Sequence, residues 1–375
     1  MSVHVHWFLP TSGDSRDVVG IDLSSGRRAP DLDYLTVVAQ TAERLGFEAV
    51  LTPTGTWCED AWITTAAISA RTTTLKFLVA FRPGLVSPTL AAQQAATFQR
   101  VSGGRVLLNV VTGGDAAEQH RFGDWLDHDK RYERTAEFLA ILRGVWSGKP
   151  FDFQGDHYDI AGATALRAPD PVPELFFGGA SPAAERVAAE HADVYLTWGE
   201  TPDQTAERIA RMRSLAAAQG RELRFGIRLH VIARPTAEEA WAVTDRLLDA
   251  MPQDVIDLAQ AHFRTSESEG QRRMAALNAG NRDELVVAPN LWAGFGLVRP
   301  GAGTALVGSH EEVADRIEEY HRIGFDHFIL SGQPHVEEAF WFGEGVLPLL
   351  RRRGLLDGHA GAEPQGLRLA PASAS

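Results

Sequence analysis

The chain of 375 residues is 44% hydrophobic and 23% charged, a balance that supplies a sizeable buried core and argues against disorder over its main body. Its 49 Asp and Glu outnumber 36 Lys and Arg, and the formal charge of -13 has the wrong sign for phosphate backbones or anionic lipid, so neither nucleic acid nor a membrane surface is expected as a partner. The single cysteine, Cys58, excludes an internal disulfide framework and a cysteine-based zinc site.

The opening MSVHVHWFLPTSGDS lacks a basic segment followed by an apolar run, and no later stretch reaches the roughly 18 apolar residues of a membrane span; a cytoplasmic location is expected. Short apolar runs rich in β-branched and aromatic residues then recur at 3–9, 47–52, 75–81, 105–111, 175–179, 193–198, 224–232 and 325–330. They are too continuously apolar for a one-sided sheet, and amphipathic stretches such as 32–45, 88–101 and 184–191 lie between them. Eight such strands alternating with helices predict an α/β fold, a (β/α)8 TIM barrel, over an open doubly wound sheet, whose Gly-rich first turn is missing after Leu9.

The reading is one domain over residues 1–355, with insertions after strands 4 and 7 at about 113–173 and 234–324, and a flexible tail at 356–375 rich in small residues. Insertions there fall over the mouth of a barrel, and the second, with apolar anchors, glycines and Arg299 in 292–304, is the better lid candidate.

Chemistry-bearing residues cluster at the expected C-terminal ends of the strands. Alternation in 225–231 puts Arg228 and His230 on one face; an unpaired arginine is costly in a packed lumen, so the mouth is preferred, with a buried carboxylate partner as the alternative. Cys58 precedes a helix start that favours thiolate, although a lone cysteine also serves as a small filler. Gly179-Ala180-Ser181 before Pro182 suits a phosphate monoester at a helix N-terminus, or plain capping by Ser181. His128 and Tyr132, four apart, sit near the exit of strand four with Asn109 and Thr112, where they can edge a planar cofactor or decorate the surface. The last strand ends in Gln333 and His335, and no histidine has the spaced carboxylate of a metal site.

The passages WFLPT, QAATFQRVSGGRVLLNVVTG, LFFGGAS, YLTWGE, FGIRLHV, NLWAGFGLVRPGAGTALVG and SGQPHVEEA, with PTG and CEDAW around Cys58, resemble the bacterial luciferase-like flavin-dependent monooxygenases, most closely the alkanesulfonate branch. The resemblance implies reduced FMN (FMNH2) supplied by a separate NAD(P)H:flavin reductase, a C4a-(hydro)peroxyflavin formed with O2, cleavage of the C–S bond of an organosulfonate to sulfite and an aldehyde, and a homodimer or homotetramer. It implies catalytic roles for Cys58, Arg228, His230 and Arg299, with His230 shuttling protons. Flavin contacts would come from Ala80, Asn109, Thr112, His128, Tyr132 and the 179–181 turn, and a non-proline cis peptide would fall near Ala80-Phe81. Trp7, Trp198, Gln333 and His335 would join Arg228, His230 and Arg299 around the substrate. Gln333 replaces the tyrosine of the alkanesulfonate pattern, which raises a sugar sulfonate such as sulfoquinovose as an alternative to alkyl chains. Two other readings remain at this point: an F420- or FMN-dependent oxidoreductase acting by hydride transfer, and a non-catalytic flavin-binding relative.

Overall fold

The computed structural model describes residues 2–19 and 27–356; the expected tail lies, from 357 onward, outside the described residues. A strand forms at each of the eight apolar runs. In chain order these are β1 (His4–Phe8), β2 (Ala49–Thr52), β3 (Lys76–Phe81), β4 (Val106–Val110) and, beyond a hairpin of β5 (Phe151–Gln154) and β6 (Asp159–Ala163), β7 (Leu175–Gly178), β8 (Val194–Trp198) and β9 (Arg224–Arg234). A small sheet, β10 (Val286–Ala288), β11 (Leu291–Trp292) and β12 (Ala305–Ser309), precedes the last barrel strand, β13 (His327–Ser331). Parallel ladders join β1-β2-β3-β4-β7-β8-β9-β13, and β13 pairs back with β1, closing an eight-stranded (β/α)8 barrel.

Closure fixes which side chains point inward. Ala49, Leu51, Leu78, Leu107, Phe176, Val194, Leu196 and Ile329 fill the lumen, while the alternate positions pack against the helices, so the runs read as apolar on both faces. Below them His6 Nε2 and His327 Nδ1 share a 3.0 Å hydrogen bond in the sealed floor.

Three features depart from the sequence reading. The seventh barrel strand runs on to Arg234 because β12 takes over its edge where β8 stops: Trp198 pairs with Arg228, then Ala305 with His230. The residues after β4 include the long helix His128–Trp146, whose apolar face packs against the helices Pro88–Ser102 and Pro182–His191 as part of the barrel's outer ring. Finally, the expected cis bond near Ala80-Phe81 is absent. The extended backbone of β3 stays in register there, Ala80 with Asn109 and Phe81 with Val110, and the cis bonds among the described residues are Asp170-Pro171 and Gln333-Pro334. Among the described residues no helix is long and apolar enough to cross a membrane.

Candidate active site

At the C-terminal ends of β4, β7 and β8 the barrel opens into a cavity of about 1050 Å³, counted out to its mouth, and Asn109, Thr112, His128, Tyr132, Gly179, Ala180, Ser181, Trp198 and Arg228 line it together. Local sequence explains the placement. Asp127 caps the helix His128–Trp146 by accepting from Lys130 N at 2.9 Å, which starts the helix at His128 and sets that ring 4.9 Å from Tyr132. Across the cavity Gly179 has φ 154, and a Cβ there would come within 2.5 Å of Ala184 Cβ, so only glycine fits the bend. Its carbonyl accepts from Tyr195 Oη at 2.5 Å, while Ser181 caps the next helix through Ala184 N at 3.2 Å. The Tyr132 phenol faces Ser181 and Thr112, and burial raises its pKa above the ordinary tyrosine value, so it stays a neutral donor. Thr197 Oγ1 is buried without a hydrogen-bond partner among the described residues, and Thr112 Oγ1 has only the Tyr132 phenol beside it, leaving polar atoms for a ligand to satisfy. Ala80 lies in the lumen wall beside Asn109, buried behind the lining.

Deeper in the mouth, Arg228 reaches inward from β9. Its Nη1 donates to Leu229 O at 2.6 Å and its Nη2 to Ser331 Oγ at 2.9 Å, while the guanidinium lies 4.8 Å from the centre of the Phe8 ring. Arg299 approaches from the segment Gly294–Leu297 and its C-cap, with Nη1 donating to Gln333 Oε1 at 2.9 Å. Among the described residues neither guanidinium meets a carboxylate. Burial first, and then the charge of Arg299, bring Arg228 down to about 9; burial lowers Arg299 as well. Two guanidiniums this close, with the Asp14 carboxylate acting on Arg299 only at a distance, form a site that an oxyanion would neutralise with paired, charge-assisted hydrogen bonds.

The two imidazoles beside them differ. His230 stacks on Phe295 at 4.1 Å; its Nε2 donates to Ala302 O at 3.1 Å and its Nδ1 accepts from Ser331 Oγ at 2.8 Å. With both nitrogens engaged, and burial followed by Arg228 and Arg299 driving its pKa well below 6.5, His230 is a neutral structural imidazole, and the proton-shuttle role expected of it does not fit its bonds. His335 instead donates Nδ1–H to Asp14 Oδ1 at 2.9 Å. Gln333 is engaged at both ends: its oxygen accepts from Arg299, and its nitrogen spends both hydrogens on Ser15 Oγ at 3.0 Å and Asp17 O at 2.5 Å. A free amide N–H for substrate hydroxyls is therefore not present in this state, and one lone pair of the oxygen is left to accept.

Two predicted residues fall elsewhere. Trp7 is fully buried in the outer layer against Phe47, because His6 and Phe8 take the inward positions of β1; alternation gives the site Phe8. Cys58 sits on the loop before the helix Ala61–Ser69, with Sγ 3.7 Å from Pro53 O. Burial, with Glu118 and Asp60 adding negative charge, pushes the thiol up to about 11, opposite to the thiolate expected from a helix start. That helix end is already capped by Asp60, whose side chain accepts from Ile63 N at 2.8 Å.

The roof of the cavity comes from residues invisible to motif reading. Ser268, Glu269 and Gly270 of the second insertion line it, and Gly270 lies against Trp198. Arg131, almost wholly buried, pins that roof through Glu267 at 2.8 Å, and Arg273 grips Glu200 at 2.7 and 2.6 Å. Asp14, Phe8, Ser331 and Phe295 likewise escaped the sequence reading. Strand parity alone could have found Phe8, whereas nothing local links Asp14 to His335, 321 positions away.

The model of the luciferase-like monooxygenase family matches residues 3–327. A riboflavin lyase, RcaE, solved with modified FMN and its substrate riboflavin, superposes with a TM-score of 0.81 at 22% identity, covering 95% of this chain and 93% of the other. The EDTA monooxygenase EmoA of Chelativorans sp. BNC1 gives 0.74 at 18%, over 95% of both chains. An F420-dependent secondary alcohol dehydrogenase, in complex with an F420-acetone adduct, gives 0.68 at 19%, over 94% of this chain and 100% of its own. At these identities the likeness is one of fold.

Proposed function

The chain belongs to the luciferase-like monooxygenase family, and from that premise we propose that it is a reduced-FMN-dependent monooxygenase that cleaves the C–S bond of an organosulfonate, releasing sulfite and a carbonyl product. The observation that carries the reading is the pair Arg228 and Arg299, two half-buried guanidiniums with no carboxylate in contact among the described residues, Arg228 in the lining of the cavity and Arg299 near enough to lower its pKa. A sulfonate presents three oxygens to such a pair and balances its charge.

The outer cavity suits reduced FMN. The Gly179–Ser181 turn at the start of Pro182–His191 offers backbone N–H groups and a hydroxyl to its phosphate, and Asn109, Thr112, His128 and Tyr132 would hold the rest; Thr197 Oγ1, without a partner among the described residues, and the side-chain-free bend at Gly179 support that fit. When bound, reduced FMN supplies the electrons that let O2 react with the substrate. The protein's part is to seal and orient. Phe8, Leu51, Leu196 and Ile329 keep the inner end apolar, Arg228 and Arg299 fix the sulfonate, and the roof over Trp198 excludes water. With no Gly-rich nicotinamide turn after β1, the reducing equivalents would come from a separate NAD(P)H:flavin reductase.

The test is sulfite release from octanesulfonate and from sulfoquinovose by the purified chain with a flavin reductase, NAD(P)H, FMN and O2. Sulfite formed in proportion to O2 consumed supports the reading, and the ratio between the two substrates defines the tail. Absence of sulfite from both, with hydride transfer to or from F420 instead, rejects it.

A further inference from the structure

His128 and His335 both leave Nε2 without a hydrogen bond among the described residues, but only His335 has its Nδ1 held by a buried carboxylate; the partner of His128, Asp129, is exposed. His335 opens the helix His335–Gly345, and Asp14 secures it twice, accepting from its backbone N at 2.8 Å and from Nδ1–H at 2.9 Å. Asp14 is itself almost wholly buried and also accepts from the Tyr34 hydroxyl. Arg28 braces the arrangement from outside, reaching Tyr34 Oη at 3.3 Å and clasping Glu337, two residues beyond His335. The ring packs 5.8 Å from Phe8, the same ring that carries Arg228, and its charge state is coupled to Arg228, Arg299 and His230. A carboxylate fixing Nδ1–H leaves the Nε2 lone pair as the free end of the imidazole.

We propose that Asp14 and His335 are the proton-accepting dyad of this pocket, with His335 Nε2 taking the hydroxyl proton of an α-hydroxysulfonate as that compound collapses to a carbonyl and sulfite. The inference rests on the sulfonate reading above and deepens it. The step balances: the O–H proton passes to Nε2, the O–H electron pair closes the C=O bond, and the C–S pair departs on sulfur as sulfite, between Arg228 and Arg299. The imidazolium that results is stabilised by Asp14, which its hydrogen bonds from His335 and Tyr34 hold below the ordinary carboxylate range despite the upward pull of burial. Burial keeps His335 neutral before the step, and Asp14 opposes that shift.

The step needs neither flavin nor O2, so it can be isolated. The flavin-free full chain is mixed with the bisulfite adduct of octanal at neutral pH, and sulfite is followed with a thiol-exchange dye. The wild type should accelerate sulfite release, and Asp14→Asn and His335→Gln should each lower the rate about a hundredfold, in the range of a positioned base, with KM for the adduct little changed because the arginines remain. The rate should rise with pH on one limb, which Asp14→Asn displaces; the charged and titratable groups facing that ring are Asp14, Tyr34, Arg228, His230 and Arg299. Rates equal to wild type in folded variants, or no acceleration by the wild type, overturn the dyad. Sulfite release from octanesulfonate by the complete flavin system then shows whether the sulfonate reading survives. As a second readout that does not depend on turnover, 15N-labelled histidine should show a non-protonated Nε2 on His335 at pH 7, and a protonated one overturns the assignment.

Discussion

Arg299 Nη1 and Gln333 Oε1 are joined at 2.9 Å, and because a guanidinium only donates, the amide oxygen must face it and the amide nitrogen must face Ser15 and Asp17. Gln333 is thus a strut between the N-terminal loop and the segment that carries Arg299. Removing it in Gln333→Ala should free Arg299 and raise KM for a sulfonate by about 10-fold, the equivalent of one hydrogen bond to a charged group, with a smaller change in kcat. Steady-state sulfite assays check this; an unchanged KM would show that Arg299 is held by other contacts.

Arg228 separates a fork from a point charge. Its Nη1 and Nη2 are spent on Leu229 O and Ser331 Oγ, and Ser331 in turn bonds His230, so the residue both meets substrate and holds the wall together. Arg228→Lys keeps a cation but cannot serve both partners, and should lower kcat/KM by about 100-fold, while Arg228→Ala should lower it further. Titration with a non-reactive sulfonate, followed by calorimetry, should show the binding loss directly.

The barrel was readable because each of its strands is buried on both faces and therefore announces itself as an apolar run, whereas the short β12 became a strand only because β9 outlasts β8 and leaves an edge to be paired. Local motifs also located Asn109, Thr112, His128, Tyr132 and the 179–181 turn around one cavity, since each lies at a strand exit or helix start whose geometry is set within a few residues. Trp7 was misplaced by one step of strand parity. Asp14 and the Arg131–Glu267 tie depend on packing between segments far apart in sequence, and no spacing rule encodes them.

Acid should unfold the protein in a defined window. His6, pushed down to about 4 by burial, together with His230 and His327, is neutral when folded and recovers an ordinary pKa near 6.5 when unfolded. The unfolded chain therefore binds more protons below about 6.5, and stability falls with pH by up to ~1.4 kcal/mol per unit for each such histidine until its folded pKa is reached. The 3.0 Å bond between His6 and His327 requires one acceptor, so protonating both removes it. His4 works in the opposite sense, because its bond to Glu48 raises its pKa, and its contribution is lost as pH rises through that value. The thermal midpoint should be nearly level above pH 7 and fall steeply between 6 and 5; a flat curve to pH 5 would contradict the burial of these rings.

Cys58 should prove dispensable for the chemical step. With its thiol raised to about 11, only about 0.1% is thiolate at pH 8, too little for a nucleophile or a proton relay. Cys58→Ala should keep kcat within about twofold, as expected of a small half-buried side chain, and iodoacetamide should label the wild type more slowly than it labels a free thiol.

Gly179 tests whether the turn beside the cavity is a phosphate cradle or only a helix cap. An added Cβ would meet Ala184 Cβ at 2.5 Å and Tyr132 Oη at 3.2 Å, at a φ of 154 that side chains rarely adopt, so Gly179→Ala should cost about 1–3 kcal/mol of stability and displace Tyr132. Ser181→Ala removes the hydroxyl, and with it the cap bond to Ala184 N, at about 1 kcal/mol, and the contact with the Tyr132 phenol. If the turn holds the phosphate of reduced FMN, Ser181→Ala should weaken FMN more than riboflavin in an anaerobic fluorescence titration, because riboflavin lacks the phosphate. Equal losses for the two would reduce Ser181 to a cap and move the phosphate site elsewhere along the cavity.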